Sequence, residues 1–123
     1  MSIEQTGIVD FVNVDPKSGD VWLTISDHLP WDHGEGEHLI LLQDKLNAYL
    51  RFIESGEMFK EIPETKGRKV VINLIGKFPI SEKASLFIEK ASAAISTAGF
   101  KLQFKLQTGD EGKNEGRQVT ERK

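Results

Sequence analysis

Between Glu37 and Gly56 the residues Leu39, Leu42, Leu46, Tyr49, Leu50 and Ile53 recur at helical spacing. A second stripe, Ala84, Phe87, Ile88, Ala91, Ala94, Ile95 and Ala98, runs from Ser81 to Gly99. Each helix therefore has one apolar side and one wet side. Such a helix must lay its stripe on another apolar surface. Two of them in a chain of 123 residues must share a single core, because a second core would leave both too small. Ser81 is suited to cap the second helix, while Gly56 and Gly99 are suited to end the two. Glu35 and Glu37 favour the start of the first through the helix dipole.

The apolar surface under both helices is a sheet. Residues 7–14, GIVDFVNV, and 21–27, VWLTISD, are β-branched and aromatic runs separated by the turn formers of residues 15–20, so they read as a hairpin. Val21, Leu23 and Ile25 alternate with Trp22, Thr24 and Ser26, which sets an aliphatic face against a mixed one. KVVINLIGKF, residues 69–78, is nearly continuous in apolar residues and fits a central strand covered on part of both faces, ended by Pro79. Phe100, Leu102, Phe104 and Leu106 alternate strictly with Lys101, Gln103, Lys105 and Gln107, the pattern of a strand with one solvated face. The fold class is α+β: a two-layer sandwich, a four-stranded mixed sheet with two helices on one face, in the order β-β-α-β-α-β. Strand order stays open. Residues 1–107 form the single domain. In residues 108–123 Val119 stands alone as a large aliphatic residue, so this charged tail is expected to be disordered.

Composition narrows the function classes. A formal net charge of -3 gives no reason to approach a phosphate backbone, so nucleic acid is not an expected partner. No apolar run has the length of a membrane span, and MSIEQTGIVD lacks the basic and apolar regions of a signal peptide. No cysteine is present, which excludes thiolate metal sites and Cys nucleophiles and suits the cytoplasm.

All three histidines, His28, His33 and His38, lie between residues 28 and 38, interleaved with Asp27, Asp32, Glu35 and Glu37. Imidazole with carboxylate is a competent ligand set for a divalent metal. His28 and His38 are the better pair, since each abuts a regular element, with Asp27 or Asp32 as carboxylate partner. Against a metal stands the spacing, which lacks the i, i+4 pair of a helical metal motif, and a glycine-containing loop that orients ligands poorly. The alternative is that these groups cap the helix and bond to nearby backbone. Ser26-Asp27-His28 names a triad, but neighbours on an extended chain point to opposite faces and cannot relay a proton. No nucleotide-binding fingerprint is present, so no cofactor and no catalytic residue are assigned.

The sheet face away from the helices is the other feature. Trp22 and, on neighbouring strands, residues such as Phe11 would lie there, and Trp31 in the loop would extend the patch. Aromatic surface of that kind marks an interface, most simply a homodimer or a protein partner.

Ser26-Asp27-His28-Leu29, Trp31 and the stretch from His38 through Leu42-Gln43, Lys45-Leu46-Asn47, Tyr49-Leu50 and Phe52-Ile53-Glu54-Ser55-Gly56 resemble a family of small bacterial proteins known only as a domain of unknown function. The resemblance spans about residues 3–107 and implies a bacterial, cytosolic origin. It brings no activity, cofactor or catalytic residue. The expected function is a non-enzymatic interaction or binding module acting through the open sheet face and the 28–37 loop. The alternatives are a metal-binding or metal-dependent hydrolytic protein using His28 and His38, and an immunity-type protein whose negative charge steers it to a basic toxin.

Overall fold

The computed structural model describes residues 11–107. Part of the first expected strand, residues 7–10, and the expected disordered tail, residues 108–123, lie outside the described residues. The elements run β1 (Phe11–Val14), β2 (Val21–Asp27), α1 (Glu35–Glu54), α2 (Glu57–Glu61), a 3-10 turn (Pro63–Thr65), β3 (Val70–Gly76), α3 (Glu82–Thr97) and β4 (Lys101–Leu106). Among the described residues no helix is long and apolar enough to cross a membrane.

The four strands form one mixed sheet in the order β1-β2-β3-β4. β1 is antiparallel to β2, while β2–β3 and β3–β4 are parallel. Two successive right-handed crossovers stepping the same way across a sheet leave both helices on one side. The core agrees: Val21, Leu23, Ile25, Ile72, Leu74 and Leu102 from the strands cluster with Leu42, Leu46, Tyr49, Ile53, Ala84 and Ile95 from α1 and α3. The expected architecture is thus present, and the strand order is the sequential one.

Local chemistry explains the connections. In the β1–β2 turn the Asp15 carboxylate accepts from the Ser18 hydroxyl at 2.8 Å and the Ser18 N–H at 3.0 Å. These bonds favour the charged form and hold the Asp15 carboxyl below its ordinary value. Arg68 reaches across to donate to the Gly19 carbonyl at 2.9 Å. α1 begins at Glu35, two residues before the apolar stripe suggested, behind Gly34 in the left-handed region. Gly56, at φ 88, ends it as expected. The segment read as a plain connection contains α2 and the 3-10 turn, and it places Met58 and Thr65 in the interior. Five helical residues are too few to display a period, so composition hid them.

On the face away from the helices, register places Trp22 beside Val71 and Lys101, and Thr24 beside Asn73 and Gln103. Val71 and Asn73 are 6% and 7% exposed, consistent with the continuous apolar run of β3. The amide of Gln103 donates to Asn73 Oδ1 at 3.3 Å. Trp22 is half-buried, and its indole N–H has no hydrogen-bond acceptor among the described residues.

Candidate functional site

Ligands of open parallel sheets bind outside the carboxyl ends of the strands. Here that end is built by the loops after β2 and β3 and by the first turns of α1 and α3. The inward series of β2 runs Val21, Leu23, Ile25 and Asp27, so the strand delivers a carboxylate to the top of the core. His38 occupies the matching place on α1, one turn before Leu42 on the same stripe. The two meet: His38 Nε2 and Asp27 Oδ2 are 2.6 Å apart, with side chains 2% exposed on both sides.

The remaining bonds stitch the loop to the helix. Asp27 Oδ1 accepts the Leu29 N–H at 3.1 Å. His38 Nδ1 donates to the Pro30 carbonyl at 3.1 Å. A carbonyl only accepts, so Nδ1 is the donor there, and Nε2 faces the Asp27 carboxyl. Trp31 stacks on the imidazole with ring centroids 3.4 Å apart and planes 12° from parallel. Residues 27 and 30 are hydrogen-bonded to one buried side chain of α1, residue 31 is stacked on it, and residue 29 is tied to it through Asp27.

A second tie joins the two helix starts. Ser81 accepts the Ala84 N–H at 3.1 Å as the expected cap of α3, and its hydroxyl donates to the Glu35 carboxylate at the start of α1. Between the two loops lies a recess of about 380 Å³, lined by Pro30, Trp31, Asp32, Phe78, Pro79 and Ser81. Aromatic and proline rings make up most of its lining, with the buried Trp31 and the exposed Asp32 among them.

Of the candidate ligands, Asp27 and His38 come together, but each spends its polar atoms on the other and on the loop backbone. His28 is exposed, as are Asp32 and His33, which face each other at 4.0 Å. Among the described residues no group of three or more His, Asp or Glu is placed to hold a metal ion. Trp31, expected on an exposed patch, is a core residue at 6% exposure because its ring covers His38. Phe11 opens β1 opposite Thr24. Phe78, Pro79 and the Glu35–Ser81 tie were not anticipated. The signal available for them was position alone: the residues directly after a parallel strand face this end of the sheet. The buried Lys45, 5.7 Å from the Tyr49 ring, was also hidden, lying beside Leu46 on the stripe.

Comparison with curated proteins and with solved structures gives no match. The family of unknown function DUF6572 matches residues 1–108, and the chain belongs to that family.

Proposed function

We propose that the protein is a non-enzymatic binding module that seats a short segment of a partner protein in the recess between the 28–34 and 77–81 loops. The observation that carries this reading is the Asp27–His38–Trp31 arrangement, whose Trp31 lines the recess. Groups that would otherwise act as acid, base or ligand are consumed in holding a loop still. A loop fixed in advance loses little freedom on binding, which favours recognition. The ring-rich lining suits an apolar or proline side chain, and the exposed Asp32 carboxylate suits a basic neighbour. The reading extends to a cytoplasmic, bacterial protein with a basic partner, the class to which a toxin-neutralising role belongs.

The test is a nuclear magnetic resonance titration with two peptides, acetyl-Lys-Leu-Pro-Lys-amide and acetyl-Glu-Leu-Pro-Glu-amide. The basic peptide should shift the Trp31 indole and Phe78 ring signals, and Phe78→Ala together with Asp32→Ala should abolish the shifts. Equal response to both peptides, or shifts that survive the double substitution, would overturn the reading.

A further inference from the structure

β4 is the outermost strand: it pairs with β3 and with no other strand among the described residues. The register tells which of its backbone groups are open. Lys105 stands opposite Ile75, and the Gln107 N–H donates to the Gly76 carbonyl at 2.8 Å. Backbone groups alternate sides along a strand, so Lys101, Gln103 and Lys105 direct theirs to β3. Leu102, Phe104 and Leu106 direct theirs outward, where no described backbone group meets them. A row of open N–H and C=O groups is a template for another strand.

The side chains flanking this edge differ by face. On the helix side Phe104 is half-buried and Leu106 is exposed, leaving apolar surface next to the open edge. On the other side Lys101 and Lys105 are exposed, and neither pairs with a carboxylate among the described residues. None of the residues that β2, β3 and β4 present on that side is acidic. In a chain of net charge -3 this face is a basic exception.

We propose that β4 accepts an extended segment of a partner protein as an added strand. The segment would alternate carboxylates beside Lys101 and Lys105 with apolar side chains beside Phe104 and Leu106. Edge lysines ordinarily discourage strand addition, and here they act as a filter on which strand is admitted. A second copy of β4 would bring its own two lysines onto the same face with no carboxylate to meet them, so like charges oppose that pairing. An acidic strand reverses the sign. This surface is separate from the recess, and the basic peptide seated there would leave the β4 amides unchanged.

Hydrogen exchange of the full chain, with and without acetyl-Gly-Glu-Val-Glu-Val-Glu-Gly-amide and its lysine counterpart, tests the proposal. In the free protein the Leu102, Phe104 and Leu106 amides should exchange quickly. The acidic peptide should slow all three, and the lysine peptide should not. Replacing both Lys101→Glu and Lys105→Glu should weaken the acidic peptide by about tenfold, the sum of two exposed charge pairs lost and reversed, and should admit the lysine peptide. Leu106→Pro removes an outward N–H without touching the β3 ladder and should weaken binding while the fold persists. Slow exchange at these amides in the free protein would overturn the proposal, since the edge would already be occupied. Absent protection by the acidic peptide, or equal protection by both peptides, would do the same.

Discussion

α1 and α3 each carry one apolar stripe, leucine-rich on α1 and alanine-rich on α3, and the sheet buries them very differently. α1 sinks His38, Leu42, Lys45, Leu46, Ala48, Tyr49 and Ile53, whereas α3 sinks Ala84 and Ile95 and leaves Phe87, Ile88 and Ala91 half-buried. The cause is position. α1 crosses between β2 and β3, the two interior strands, while α3 crosses between β3 and the edge strand β4. Nothing lies beyond β4 among the described residues to close over α3. A gap of about 440 Å³ also separates the helices, walled by Leu46 and Leu50 on one side and Phe87, Ala91 and Ile95 on the other. The difference teaches that a stripe states which side of a helix faces inward, while the sheet decides how dry that side becomes. The half under α1 holds polar groups rigidly out of water, and the half under α3 keeps its surface open for contact.

The sharpest way to break this contrast is at His38. Removing its ring by His38→Ala leaves Asp27 buried without its partner and strips Trp31 of the surface it stacks on. Loss of one partner from a buried pair costs about 3–5 kcal/mol. Urea unfolding at neutral pH should show a loss of that size. A loss below about 1 kcal/mol would mean that water reaches Asp27 and that the loop end is as open as the α3 side.

How much of this was readable from the chain depends on how far each signal reaches. Periods within one element were plain: the alternation of β4, the Ser81 cap and the Gly56 stop all rest on neighbours a few residues apart. The positions of Asp27 and His38 were also within reach, because Asp27 continues the Val21, Leu23, Ile25 series and His38 continues the Leu42 stripe by one turn. Charged neighbours on the sequence drew attention to ligand chemistry instead of to that alternation. Trp31 and Phe78 sit in loops, which have no period, and only the closing of two crossovers brings them together. α2 was too short to announce itself.

A smaller contrast uses one residue type in both halves. Leu42→Ala removes a side chain that is fully buried beneath α1 and should cost about 2–5 kcal/mol, the range for leucine truncation in a packed core. Leu86→Ala, on α3 at 54% exposure, should cost less than about 0.5 kcal/mol. Measured as a pair by chemical denaturation, equal losses would show that α3 is covered in solution and would erase the asymmetry.

The smallest effect compares two aspartates at opposite ends of β2. Asp27 is enclosed and bonded to His38, whereas Asp15, in the turn before the strand, is half-buried and makes its bond to Ser18 at the exposed surface. The Ser18 hydroxyl, followed by its N–H, stabilises the charged Asp15 carboxylate and lowers its pKa from the ordinary 3.8. A carboxyl lowered on folding contributes stability that is present above its unfolded value and is lost as the pH falls through its folded value. The affected window therefore lies below about pH 3.8, on the acid side. Ser18→Ala keeps the backbone N–H but removes the hydroxyl, so the Asp15 carboxyl should titrate closer to 3.8, as followed by its carboxyl carbon resonance. Stability at neutral pH should barely change, because solvent takes over at this exposed bond what the hydroxyl gave up. Identical titration in both proteins would show that the turn opens in solution, and that a hydrogen-bonded aspartate on this strand is held only where α1 covers it.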